Sequence, residues 1–155
     1  MSHEQRLAEL GIKLPEVAAP VAAYVPAVQS GRYVYTSGQL PFTEGALPAT
    51  GKVGDGDGLI SPEDAAGYAR TCALNALAAV RSITGSLDSI SRIVKVVGFV
   101  ASDPSFTGQP GVINGASSVL GEIFGDAGPH ARSAVGVAVL PLDSPVEVEL
   151  VVELA

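Results

Sequence analysis

Two neighbouring runs decide the fold: His130-Ala131-Arg132-Ser133-Ala134-Val135-Gly136-Val137-Ala138-Val139-Leu140-Pro141 and Val146-Glu147-Val148-Glu149-Leu150-Val151-Val152-Glu153-Leu154. Valine is dense in both, and proline and Asp143-Ser144 bound them, so both read as β-strands. Arg132 opens the first among small and apolar neighbours, and Glu147, Glu149 and Glu153 punctuate the second. A charge inside a strand marks either a solvated face or a pocket for a group of opposite sign. From these residues alone both readings stand, the second being a pocket for an anionic substrate.

Upstream, Arg92 to Val100 is a further strand with little polarity after Lys95, the pattern of a central strand covered on both faces. Between it and the first run, residues 109–124 have helical periodicity, with Val112, Ile113, Ala116, Val119, Leu120 and Ile123 facing inward. Asn114 lies in that helix, where a solvated position is its bland reading. Gly125 to Pro129 ends the helix. Ser61-Pro62-Glu63-Asp64 is a helix start, with a serine cap, proline in the first turn and acids after it. Ala65, Ala69, Cys72, Ala73, Ala76, Leu77 and Val80 follow at helical spacing up to Gly85, which puts Cys72 on the packed stripe.

Arg32 to Ser37 is β-rich and stops at Gly38, where a bulge or a close backbone approach is expected; Glu44-Gly45 marks a turn. Residues 3–10 read as one or two helical turns ended by Gly11. The proline-interrupted stretch from Leu14 through Pro20 to Pro26 reads as extended or irregular, and with the first turns it forms an N-terminal arm over 1–20. Tyr24 lies near its end, with packing as its bland reading. Residues 50–60 are glycine-rich, but lack both the Lys-Ser/Thr ending of a phosphate loop and the closing glutamate of a calcium loop. They read as a mobile surface loop.

The order is strand or hairpin, helix, strand, helix, strand, strand. This is an α/β arrangement in one domain over 1–155, with parallel pairing expected across the helical crossovers. Two helices cover one sheet face, leaving the other for subunit association.

Composition narrows the function. Charged residues are only 16% of the chain against 47% apolar, so more surface than usual is expected to be hidden in an oligomer. No run suits a membrane span, and the first residues do not have the pattern of a signal peptide. One cysteine excludes a disulfide framework and fits a cytoplasmic setting. A net charge of −7 argues against nucleic acid as a partner. His3 and His130 read as exposed residues without metal-ligand company, and no metal site is expected.

Taken together, Tyr24-Val25-Pro26-Ala27-Val28, Thr36-Ser37-Gly38-Gln39-Leu40-Pro41, and Ala131-Arg132-Ser133 through Leu140-Pro141 to Val146-Glu147-Val148-Glu149 resemble the RidA/YjgF family. Gly11-Ile12-Lys13-Leu14-Pro15 and the glycine-rich insert resemble its longer subgroup, labelled endoribonuclease-like (L-PSP) or chorismate-mutase-like. The resemblance implies a chorismate-mutase-like α/β (α+β) fold, a single mixed sheet with two helices on one face, assembled as a homotrimer with clefts between subunits. It implies hydrolytic deamination of reactive 2-imino or 2-amino-acrylate acids to 2-oxo acids and ammonia, without a cofactor. It implies that Arg132 holds the substrate carboxylate and Glu147 positions or activates water. Backbone groups at Ala134 and Gly38 would add hydrogen bonds, and Tyr24, Ser37 and Asn114 would line the cleft. Ala134 stands where many members carry cysteine.

That chemistry is coherent, since an arginine fork matches a planar carboxylate and a carboxylate can take a proton from water. Arg132 and Glu147 each open a strand. With antiparallel strands this puts them at opposite ends, on the order of 25 Å apart, and predicts a site shared between subunits. The alternative is a non-catalytic trimer that binds small carboxylates as a sensor or regulatory partner. A nuclease is disfavoured by the acidic balance, and chorismate rearrangement by the scarcity of arginine.

Overall fold

The computed structural model describes residues 1–17 and 23–155. It contains helices α1 (His3–Glu9), α2 (Pro62–Thr84) and α3 (Gln109–Phe124). Its strands are β1 (Ala27–Ser30), β2 (Tyr33–Thr36), β3 (Ile90–Ala101), β4 (Ala131–Val137) and β5 (Val146–Leu154). The strands form one mixed sheet in the order β1-β2-β5-β3-β4, in which only the β3–β4 pair is parallel.

The helix boundaries follow local chemistry. Ser61 Oγ accepts from the Asp64 amide, Pro62 sits in the first turn, and Gly85 closes α2 at φ +80°. That left-handed conformation carries a Cβ penalty for other residues. At α1, Ser2 and Gln5 satisfy each other's amides in a capping box. All six apolar residues expected to face inward from α3 are buried. Helix α3 carries β3 to its parallel neighbour β4, as anticipated for such a crossover. The path from β2 through α2 differs, because β5 occupies the position between β2 and β3.

Both long helices lie on one face of the sheet. Ala65, Ala69, Cys72, Ala73 and Ala76 of α2 and the inward stripe of α3 are buried there with Val34, Ile93, Val96, Val148, Leu150 and Val152 of the strands. Small residues permit the close approach. Gly115 of α3 rests against the Ala66 carbonyl of α2, and a Cβ there would overlap that backbone. The opposite sheet face carries Tyr33, Tyr35, Val97, Phe99 and Val135 among its glutamates, and among the described residues no helix packs on it. The outer face of β3 is therefore half-exposed within the chain, on the side expected to meet another subunit.

The segments around the sheet bring one correction, in the glycine-rich stretch. β1 is a strand of its own, folded against β2 through a turn at Gly31, φ +60°. The glycine-rich segment 50–60 is not a free surface loop. The Val53 side chain is fully buried, its amide donates to the Ala101 carbonyl, and its carbonyl accepts from the Asp103 amide. Within the segment only Thr50 and residues 55–58 are exposed. Residues 18–22 of the proline-interrupted stretch lie outside the described residues. Among the described residues, no helix is long and apolar enough to cross a membrane.

The α2–α3 contact gives a stability test. Gly115→Ala is expected to lower the unfolding free energy by about 1–3 kcal/mol in urea denaturation, because the added methyl meets rigid backbone. Gly67 in α2 has open space around its missing Cβ. Gly67→Ala is expected to raise the unfolding free energy by about 0.5–1 kcal/mol.

Candidate functional site

Residues directly opposite one another across a ladder share a sheet face. Arg132 is level with Val96, and Val96 with Leu150; both of those are buried beneath the helices. Arg132 therefore points to the helix side, at the outer edge of β4. Glu147 pairs with Phe99, which pairs with Val135, all on the uncovered face. The two candidate catalytic residues lie on opposite faces of one sheet.

Their separation also differs from the 25 Å expectation. β4 stops at Val137 instead of running on to Pro141, and Glu147 is level with Val135, three residues from Arg132. Three residues of rise and two strand spacings put the Cα atoms roughly 14 Å apart. It is the face, more than the distance, that keeps the pair from acting together within one chain.

Around Arg132 the structure gathers neutral oxygens. Nη1 donates to Asn114 Oδ1 at 2.7 Å and to Ser117 Oγ at 3.2 Å, and Nη2 donates to the Pro110 carbonyl at 3.4 Å. Asn114 and Ser117 are one turn apart on α3 and so reach the same point. Among the described residues, none of the ion pairs involves Arg132. A guanidinium has five N–H groups. Among the described residues these contacts engage three, leaving Nε–H and one Nη2–H. Ala134 lies on the same face two residues along, and β4 is an edge strand, so every second backbone unit faces away from β3.

Ser117 and His130 were not among the sequence candidates. His130 is half-buried, not exposed: Nε2 is 2.9 Å from Ser117 Oγ and Nδ1 is 2.7 Å from the Gly128 carbonyl. The i, i+3 relation of Ser117 to Asn114 is the signal that would have found the serine. His3 is likewise partly buried, with Nε2 3.1 Å from the Ile90 carbonyl and its ring tilted against Phe124.

The second group of residues assembles around Glu147. Gly38 passes directly under its side chain, and a Cβ at 38 would collide with the carboxylate, the close approach expected of this glycine. Gln39 and Val148 exchange backbone hydrogen bonds, holding that approach in place. Ser37 donates its hydroxyl to the Val25 carbonyl at 2.7 Å and its amide to the Pro26 carbonyl at 2.8 Å, tying the Tyr24–Pro26 segment beside Gly38. Tyr24 is 58% exposed, so its ring is not a packing residue within the chain. Burial first, and the Glu149 carboxylate second, push the Glu147 carboxyl above the ordinary range. Burial also pushes the Cys72 thiol well up, which suits packing and not nucleophilic attack.

One chain thus divides the candidates into an arginine half (Arg132, Asn114, Ala134) and a carboxylate half (Glu147, Gly38, Ser37, Tyr24). Against known families, residues 4–154 match the model described as "YjgF/chorismate_mutase-like, putative endoribonuclease". The chain belongs to the YjgF/chorismate-mutase-like family. Protein TCP17 of Trypanosoma cruzi is 44% identical over 149 residues, covering 96% of this chain and 91% of that protein. The crystal structure of Atu1372 from Agrobacterium tumefaciens, of unknown function, superposes with a TM-score of 0.88 at 42% identity, covering 99% and 92% of the two chains. Escherichia coli TdcF, solved with bound serine, superposes with a TM-score of 0.65 at 25% identity, covering 90% of this chain and 94% of that one. The YjgF fold anticipated from the sequence is the fold observed.

Glu147 offers a direct test. Its side-chain carboxyl, followed by NMR, is expected to titrate above the usual glutamate range. An added methyl at position 38 expels the carboxylate into solvent, so Gly38→Ala is expected to bring the midpoint back down.

Proposed function

We propose that this protein is a hydrolytic deaminase of small 2-imino or 2-amino-acrylate acids, working as a homotrimer in which the arginine half of one chain faces the carboxylate half of the next. The observation that carries the reading is the state of Arg132. It is a cation held by three neutral oxygens, with two N–H groups free and no ion pair among the described residues. Such a group favours a carboxylate ligand, and the serine in the TdcF structure is a small molecule of that class.

In the proposed reaction, Arg132 of one chain binds the substrate carboxylate through its Nε–H and Nη2–H edge. Glu147 of the neighbouring chain takes a proton from water as the oxygen attacks the C=N carbon. The proton passes to nitrogen, and the carbinolamine collapses to a 2-oxo acid and ammonia. The raised Glu147 carboxyl suits this role, because a carboxylate that resists ionisation is the stronger base once ionised. Ser37 and Gly38 set where the carboxylate lies, and Tyr24 and Asn114 border the cleft. No metal or organic cofactor takes part in these steps.

A second reading keeps the binding and drops the chemistry: a trimer that senses small carboxylates. It is favoured by the completeness of the arginine half within one chain, which needs nothing from Glu147.

The test is turnover of enzymatically generated 2-iminopropanoate. Arg132→Lys is expected to lower kcat/KM by about 10- to 100-fold, since an ammonium loses the two-pronged contact. Glu147→Gln is expected to abolish turnover while leaving pyruvate binding in place. Unchanged turnover in Glu147→Gln would overturn the deaminase mechanism, and binding without turnover in the wild type would establish the sensor.

A further inference from the structure

The sequence treats His130 as a bystander, but the structure puts it behind the guanidinium. Its Nδ1 lies 2.7 Å from the Gly128 carbonyl, which can only accept, so Nδ1 carries the proton. In the neutral ring this makes Nε2 an acceptor. Its neighbour at 2.9 Å is the Ser117 hydroxyl, which must then donate to it. With its proton committed to His130, Ser117 Oγ has lone pairs to offer Arg132 Nη1, 3.2 Å away. The polarity of the relay is therefore fixed from one end: Arg132 donates to Ser117, Ser117 to His130, and His130 to the backbone.

We infer that His130 is a positioning residue for carboxylate binding, one that orients the Ser117 hydroxyl and through it holds the free edge of the Arg132 guanidinium toward the ligand. The inference rests on the carboxylate-binding reading of Arg132 and extends it to a residue that does not touch the ligand. Without an acceptor at Nε2, the Ser117 hydroxyl is free to rotate toward a carbonyl of its own helix, a common alternative for serine. Asn114 and the Pro110 carbonyl would then hold Arg132 alone, and its side chain would sample other directions. Ser117 and His130 act as one unit, so their effects should overlap instead of adding.

The experiment measures binding of 2-oxobutanoate by titration in wild type, His130→Leu, Ser117→Ala, the double variant, His130→Gln and Arg132→Ala, with thermal unfolding to confirm that each folds. Expected are loss of binding in Arg132→Ala and about fivefold weaker binding in each of His130→Leu and Ser117→Ala, the worth of one neutral hydrogen bond. The double variant should be no weaker than Ser117→Ala alone. His130→Gln, whose amide oxygen can accept where Nε2 did, should recover most of the loss. Wild-type affinity in His130→Leu, or losses that multiply in the double variant, would overturn the inference while leaving the Arg132 reading intact. Absence of binding in the wild type would instead overturn that reading, and the positioning role with it. Imidazole nitrogen shifts give a ligand-free check. The Nδ1–H tautomer is expected, and an Nε2–H tautomer would overturn the relay even if binding is normal.

Discussion

Everything about this site depends on the ladder that β3 makes with a different strand on each side. Because Val96 is bonded across to Arg132 on one flank and to Leu150 on the other, three side chains are forced to the same face. Three residues further along β3, Phe99 does the same for Val135 and Glu147 on the opposite face. A slip of one residue in the β3–β5 pairing would exchange the faces of β5 and bury its glutamates beneath the helices. The apolar stripe of β5, buried at Val146, Val148, Leu150 and Val152, prevents that slip. The core that stabilises the fold therefore also assigns the cation and the carboxylate to separate sides.

Keeping them apart has an energetic logic. A guanidinium and a carboxylate within reach of each other form an ion pair, and a ligand must then break it. Arg132 instead has amide, hydroxyl and carbonyl oxygens as partners, which satisfy hydrogen bonds without neutralising the charge. Glu147 is half-buried over a glycine with another carboxylate nearby, a setting that weakens its hold on negative charge. Each group remains poorly compensated within its own chain, and that is the condition for an interaction with something else.

The parts of this structure legible from sequence are those set by local chemistry. Ser61-Pro62 and Gly85 bracket α2 because capping and φ preferences act over a few residues, and the inward face of α3 follows from its period. Gly38 could be read as a point of close approach because glycine inside a strand-like run has few other uses. What could not be read depends on pairing between distant segments. That β4 ends at Val137, that β5 separates β2 from β3, and that Val53 inserts beside the end of β3 are all consequences of tertiary register. His130 escaped notice for the same reason, since its significance arises only when α3 brings Ser117 to it. β1 was obscured by the prolines just before it.

The seating of Val53 gives the glycine-rich insert an unexpected character. The chain is pinned at Val53 and again where the Ile60 amide meets the Lys52 carbonyl and the Gly54 amide meets the Ile60 carbonyl, leaving a short bow between two fixed points. A bow of this kind is where a lineage can gain or lose residues freely, since the flanking clasp absorbs the change before it reaches β3. The stem, by contrast, tolerates no such drift, because a one-residue deletion there would pull an apolar plug from the end of the central strand.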